Sequence, residues 1–356
     1  MVDARVARSQ ASLTTLADLT TLRTGGPAAE TIRVEDADAL VDTVRSADAA
    51  GIALLVVGGG SNLLVADEGW PGRVVLIRTR GVDVRDEGDV VTLDAAAGEP
   101  WEELVSRCVS AGFSGIECLA GIPGLVGATP VQNVSAYGAE VATVVDTITA
   151  WDRALSRAVR LDARECGFAY RTSIFKHSER WVVQSVRLTL RRDALSAPIQ
   201  YAELARTLDV AVGVRVPLRE ARDAVLQLRR GKGMVLDAAD HDTWSAGSFF
   251  INPVLDAGQL AAFRARLGEA ATSYPHWPTD GDTKLSAAWL IEQAGFHRGY
   301  AAGNAALSGK HTLALTNRGN ATAADLIALA RTVRDGVLRR YGVALTPEPR
   351  LVGLAL

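Results

Sequence analysis

Three successive glycines followed by a serine and an asparagine, Gly58-Gly59-Gly60-Ser61-Asn62, can turn the backbone with its N–H groups exposed. Such a turn forms a nest suited to phosphate oxygens. No Lys-Ser or Lys-Thr follows, so it is not a Walker loop, and it lacks GxGxxG spacing ahead of a long helix. Alone it reads equally well as a tight turn. A second stretch, Gly121-Ile122-Pro123-Gly124-Leu125-Val126-Gly127-Ala128, continues to Gln132-Asn133-Val134-Ser135-Ala136-Tyr137-Gly138. It is too apolar for an ordinary solvated loop. A backbone-lined cleft for a large planar cofactor accounts for it better than disorder does; a buried structural loop is the competing reading.

Three further segments carry side chains able to do chemistry. In Tyr170-Arg171-Thr172-Ser173-Ile174-Phe175-Lys176 an arginine beside a tyrosine can grip a carboxylate with two hydrogen bonds. A surface ion pair is the commoner fate of a lone arginine. In Ala246-Gly247-Ser248-Phe249-Phe250-Ile251-Asn252-Pro253 a serine sits in a constrained, apolar setting. There is no GxSxG and no triad order, which disfavours a hydrolase nucleophile. A serine hydroxyl can instead give up its proton to a strong base such as an enolate carbon. Near the C-terminal end, Thr346-Pro347-Glu348-Pro349-Arg350 sets a carboxylic acid close to an arginine, which also suits an exposed ion pair.

These segments need a framework. The chain has 356 residues, 48% hydrophobic, enough for two or three domains. Its net charge is -3, and its basic residues are scattered rather than gathered with aromatics, so a nucleic-acid partner is not expected. Residues 1–10 carry charges and no apolar core, which argues against a secretory signal. No apolar run is long enough to span a bilayer. Cys108, Cys118 and Cys166 form no CxxC, so disulfide and zinc readings are weak and buried thiols in a reducing cytoplasm are expected.

Alternation and capping predict strands at 29–34, 52–57 and 74–78, with a helix over 37–50 capped by Asp36. Further strands are expected at 90–97, 144–151 and 181–190, and an amphipathic helix over 99–111. In 181–190, Val182, Val186, Leu188 and Leu190 share one face. Pro217 suits the first position of a helix to about Arg230. Gly231 and Gly233 mark a domain boundary. Helices are expected at 285–294 and at 323–341, the latter opened by Thr322 with Asp325 and stopped by Gly342.

Taken in order, the five motifs resemble the MurB family of UDP-N-acetylenolpyruvoylglucosamine reductases. Thr21-Leu22-Arg23-Thr24-Gly25-Gly26 and Lys284-Leu285-Ser286-Ala287-Ala288-Trp289-Leu290-Ile291-Glu292-Gln293 extend the match over nearly the whole chain. The resemblance implies an α+β protein in three parts. Residues 1–78 and 79–233 would be the two α/β subdomains of an FAD-binding module of the vanillyl-alcohol-oxidase type. The second would be joined by the tail, 345–356. Residues 234–344 would form an α+β substrate-binding domain. The motif around Arg171 and the loop Pro198-Ile199-Gln200-Tyr201 are similar to the longer subtype, in which that loop folds a tyrosine onto the substrate.

The implied activity is reduction of a UDP-sugar enolpyruvyl ether by NADPH through non-covalent FAD, in the cytoplasm and as a monomer. The implied cofactor-binding residues are Gly58, Gly59, Gly60, Ser61, Asn62, Gly121, Ile122, Pro123, Gly124, Gly127 and Ala128. Flavin N5 would deliver hydride to C3 and Ser248 a proton to C2. Arg171 and Glu348 would stabilise the enolate-like charge, such a donor contributing roughly 3–4 kcal/mol. Tyr170, Tyr201, Lys232, Asn252 and Gln293 would bind substrate, with Lys232, Tyr201 and Asn252 on the diphosphate. The sequence departs from the family at Ile251, apolar where a cation is frequent, at Thr172 in place of Asp, and at Pro349 in place of Val. The segment from Lys232 to Ser248 is long and carries Asp237, Asp240, His241 and Asp242; a solvated loop is favoured there over a metal site. Rival readings are another flavin oxidoreductase of the same fold and a nucleotide-binding module without catalysis.

Overall fold

The first alternation of apolar strands and amphipathic helix folds into a parallel unit. The computed structural model describes residues 14–268 and 273–356; the reading of residues 1–10 lies outside them. Strand Trp70–Ile77 is central, with Ala28–Val34 and Leu54–Val57 parallel on either side. Helix Ala37–Ala49 buries Leu40, Val44 and Ala47 and begins at Asp36, whose carboxylate accepts from the Ala39 N–H. A cap of this kind contributes about 1 kcal/mol. The central strand starts earlier than expected because Pro71 and Gly72 disguise it. Gly72 is required by close approach: a Cβ there would lie 2.0 Å from the Ala53 carbonyl oxygen.

The second sheet is antiparallel, ordered Arg157–Asp162, Val145–Asp152, Trp181–Arg192, Val90–Ala96, Val82–Asp86, with Phe113–Ser114 also paired to Trp181–Arg192. The long strand buries Val182, Val186, Leu188 and Leu190, the face the alternation predicts, and Val183 as well. The two outer strands, Val82–Asp86 and Arg157–Asp162, were not expected. Neither contains a fully buried residue, so neither carries an apolar face of its own. Helix Trp101–Ala111 buries Trp101, Leu104, Val105 and Cys108 and ends at Gly112, which is left-handed at φ 75°. Helix Leu218–Gly231 begins one residue after Pro217, which caps it rather than opening it. One apolar core joins this sheet to the helix side of the parallel unit. Burial pushes the Cys108 and Cys118 thiols up to about 12 and Cys166 up to about 11, so all three are inert packing groups at neutral pH.

The last third has its own core. It contains a three-stranded sheet (Val254–Leu255, Asp282–Leu285, His276–Thr279), a second one (Ala301–Ala302, Ala305–Leu307, Leu315–Asn317), and helices Ala257–Leu267, Ala287–Gln293 and Ala323–Tyr341. Helix Ala323–Tyr341 has the expected limits, a complete Thr322–Asp325 capping box and left-handed Gly342. Its first amides, Ala323 and Ala324, donate to the Asp67 carboxylate at 2.8 and 3.0 Å. That contact ties the helix to the parallel unit, where the helix dipole favours an anion.

The tail then leaves the last third. Arg350–Val352 adds in parallel to Leu63–Val65, and Val352 joins the core of Leu16, Leu55 and Val65. This corrects the expectation that the tail joins 79–233: its strand completes the first unit, where an apolar edge was waiting. No helix among the described residues is long and apolar enough to cross a membrane.

Candidate active site

Both glycine segments face one open cleft, lined by Gly58–Asn62, Ile122–Leu125 and Gly127–Ala128 among others. They meet backbone to backbone. A Cβ on Gly59 would lie 2.7 Å from Gly124 Cα, and one on Gly127 would lie 2.5 Å from Ala97 Cβ. Ser61 Oγ donates to the Pro123 carbonyl at 3.0 Å and locks the two loops. Among the described residues none accepts from the amide N–H groups of Gly59, Gly60 and Ser61. A narrow backbone-walled slot with unspent amides fits a flat ring system carrying a diphosphate. No histidine or cysteine lines the cleft, so its described walls offer no ring or thiol nucleophile for a covalent tether. Gly121 is the one expected cofactor residue that does not line it. It turns at φ 71° against Leu226 and gives its N–H to Glu102, so its part is to shape the loop.

Three separate segments bring Ser248, Arg171 and Glu348 to this cleft. The tail is pinned where Glu348 N–H donates to the Phe249 carbonyl at 2.8 Å and Ile251 N–H to Thr346 at 3.1 Å. That pairing sets Glu348 alongside the Ser248 segment. Asn62 Nδ2 spans the loops, reaching Gln132 Oε1 at 2.6 Å and the Glu348 carbonyl at 3.4 Å. Arg171 occupies a left-handed conformation at φ 54°, strained for a long side chain at a cost of about 1–3 kcal/mol. It is held there by several contacts. Its Nη1 donates to Ser135 Oγ at 2.8 Å, its Nε lies 3.4 Å from Glu348 Oε1, and its carbonyl accepts from Lys176 Nζ at 2.8 Å. Thr172 is exposed, and the guanidinium is met by Ser135 and Glu348 instead.

The electrostatics separate the groups. Burial pushes the Glu348 carboxyl above its ordinary value, and Arg171 and Lys176 only partly oppose this. A raised carboxyl pKa favours a protonated acid able to donate a hydrogen bond. Burial lowers Lys176 in turn. Ser248 Oγ lies 3.3 Å from His311 Nε2. Burial, with Lys232 and Arg229 nearby, lowers His311 to about 4 against the pull of Glu203 and Glu292. His311 is therefore a neutral imidazole at pH 7.

The expected substrate residues stand outside the cleft lining. Tyr170 immediately precedes Arg171 in sequence, and Asn252 Oδ1 accepts from the Ala287 N–H at 2.9 Å. Lys284 Nζ lies 4.6 Å from the Tyr170 ring centre. Lys232 is paired with Glu203 at 2.5 Å, and Tyr201 stands edge-on to Tyr137 at 5.5 Å, 44% exposed. Gln293 is exposed, whereas its neighbour Glu292 accepts from Thr312 next to His311. The acidic insertion is spent on structure. Asp240 pairs with Lys310 and Asp242 with Arg318, while Trp244 packs between His241 and Arg23. Among the described residues no cluster could hold a metal ion.

Sequence reasoning missed His311, Ser135 as the support of Arg171, and Arg229, which also lines the cleft. Arg229 stands four residues after Val225 and three after Leu226, both buried. A cation on the apolar side of an amphipathic helix was a usable signal.

Comparison with known proteins agrees with this geometry. Residues 28–159 match the model of an FAD binding domain, and residues 239–352 that of a UDP-N-acetylenolpyruvoylglucosamine reductase C-terminal domain. The chain is 58% identical over 348 residues to the UDP-N-acetylenolpyruvoylglucosamine reductase of Saccharopolyspora erythraea, covering 96% of this chain and 95% of that one. It is 55% identical to that of Salinispora arenicola, with 96% and 95% coverage. It also resembles the crystal structure of UDP-N-acetylenolpyruvylglucosamine reductase from Thermus caldophilus, with a TM-score of 0.65 and 27% identity over 95% of this chain and 97% of that one.

Proposed function

The chain belongs to the UDP-N-acetylenolpyruvoylglucosamine reductase family, and from that premise we propose how its cleft performs the family's reaction. It is an FAD-dependent oxidoreductase of peptidoglycan precursor synthesis, with NADPH as electron donor. Its substrate is the enolpyruvyl ether of UDP-N-acetylglucosamine and its product the lactyl ether, UDP-N-acetylmuramate. In our reading Gly58–Asn62 and Ile122–Ala128 hold FAD without a covalent bond. Bound there, FAD supplies the hydride, taken from NADPH, that C3 of the enolpyruvyl group receives.

The protein's own groups then manage charge and a proton. As C3 gains hydride, the electron pair of the double bond moves to C2 and into the substrate carboxylate. Arg171, held by Ser135, neutralises that charge. Glu348, whose burial favours the protonated acid, adds a hydrogen-bond donor in that form. Ser248 gives its hydroxyl proton to C2, which completes the addition of two hydrogens across the bond. Tyr170 adjoins Arg171 in sequence and binds substrate beside it, and Asn252 joins Lys232 and Tyr201 on the diphosphate. Lys232, Tyr201 and Gln293 bind substrate after local rearrangement. Lys232 must exchange Glu203 for the diphosphate, and Gln293 must turn inward. Divisions at residues 78 and 233 suit the three parts of the chain, the tail strand completing the first, and we take the protein to act as a cytoplasmic monomer.

One observation carries this reading: Ser248, Arg171 and Glu348 converge on a glycine-walled cleft from segments far apart in sequence. The test is anaerobic. NADPH should bleach the bound flavin, and the enolpyruvyl UDP-sugar should restore its colour while gaining two hydrogens. Bleaching without recovery on adding that substrate overturns the assignment of substrate.

A further inference from the structure

Three arginines line the cleft: Arg171, Arg229 and Arg350. Two have an acidic side chain within ion-pair distance, Arg171 with Glu348 at 3.4 Å and Arg350 with Glu179 at 3.0 Å. Arg229 has none within ion-pair reach among the described residues. It comes from the last turn of helix Leu218–Gly231 and is only partly exposed. Its Nη2 donates to the Met234 carbonyl at 2.9 Å. Its Nε is sealed from solvent and donates to nothing. A guanidinium drawn out of water and left without a contacting counter-charge is costly, and the cost falls when an anion arrives.

The place of Arg229 restricts which anion that is. It lines a small side pocket together with Pro123, which accepts the locking bond from Ser61, and Gly247, which precedes the candidate proton donor. Its charge is felt at His311, the neighbour of Ser248. Arg229 therefore stands toward the reacting end of the cleft. A ring that accepts hydride there gains a negative charge that it lacked when oxidised.

We propose that Arg229 is the counter-ion for the negative charge that bound flavin acquires on two-electron reduction. The proposal rests on reading the cleft as the FAD site. The balance is simple. Hydride leaving NADPH brings two electrons and one proton, so neutral oxidised flavin becomes a reduced anion and NADP⁺ departs. When that hydride passes to the substrate, the flavin is neutral again. Arg229 keeps its proton throughout. It stabilises only the reduced state, so it raises the flavin's midpoint potential. Burial lowers the arginine's affinity for its proton by more than Tyr137 and the more distant Glu102 restore it, in keeping with a site built for a further anion.

The test uses holoenzyme loaded with FAD, titrated reductively against a reference dye, with affinity for oxidised FAD measured separately. In Arg229→Gln the preference for reduced over oxidised flavin should fall tenfold or more, moving the potential down by about 30 mV or more for a two-electron couple. Arg229→Lys, which keeps the charge, should recover most of that shift. Arg229→Met serves as the neutral variant if Gln cannot hold FAD. A neutral variant with wild-type potential overturns the proposal even if it binds FAD more weakly, because Arg229 then serves both redox states alike. A Lys variant as low as Gln overturns it too. If wild-type protein cannot be loaded with FAD, the reading of the cleft fails and the proposal falls with it.

Discussion

Replacing His311 by glutamine should make the protein less sensitive to acid. The ring is pushed down to about 4 by burial, from an ordinary value near 6.5 in the unfolded chain. A depressed pKa means the unfolded state binds the proton more readily. Stability from this group is therefore full above pH 6.5 and is lost as pH falls toward 4. Between pH 8 and 5 the unfolded chain gains about 2 kcal/mol from protonating this residue, and the folded chain almost none. Groups that reach the ring electrostatically include Lys232 and Arg229, which favour the neutral form, and Glu203 and Glu292, which oppose it. All of these remain in His311→Gln. Urea unfolding of FAD-loaded protein at several pH values should show wild type losing about 2 kcal/mol more than the variant between pH 8 and 5. Parallel curves would refute the reasoning, since they would mean that the ring protonates as easily folded as unfolded.

Glu348→Gln keeps a hydrogen-bond donor but cannot ionise. Wild-type flavin reoxidation by substrate should slow as pH rises through the elevated Glu348 pKa, while the variant shows no such limb; a limb unchanged in the variant counts against Glu348 as its source. Ser135→Ala removes a bond to the Arg171 guanidinium, of a kind contributing about 1.5–3 kcal/mol; substrate-dependent reoxidation should slow by roughly tenfold or more, with reduction by NADPH unaffected. Asp67→Ala removes the acceptor at the start of helix Ala323–Tyr341 and should lower stability by about 1 kcal/mol, read as a lower urea midpoint.

What the sequence disclosed depended on whether the signal was local. Helix Ala323–Tyr341 was legible to its ends because its cap, stripe and stop lie within one segment. The strands Val82–Asp86 and Arg157–Asp162 were not, because they are sheet edges whose pairing comes from the neighbouring strands. Glycine motifs marked the cleft walls except at Gly121, where a left-handed turn and a ligand-facing turn look the same in sequence. Ser248, Arg171 and Glu348 were legible from the order of motifs, but their convergence is a tertiary fact: the tail reaches Phe249 and Asn62 only after crossing the last third of the chain. The partners were hidden for the same reason. Nothing near Ser248 in sequence indicates His311, and nothing near Lys232 indicates that Glu203 holds it. The long insertion gave no hint that Asp240 and Asp242 would be neutralised by Lys310 and Arg318.

In the proposed reaction Ser248 gives its proton to C2. Stopped-flow spectroscopy on Ser248→Ala separates the two halves of the reaction. Bleaching of the flavin by NADPH should proceed at close to the wild-type rate, because no proton is delivered to carbon in that step. Recovery of the flavin on mixing with the enolpyruvyl UDP-sugar should slow by several orders of magnitude. If both phases slow to the same extent, Ser248 supports the cleft rather than the chemistry, and the proton at C2 comes from another group.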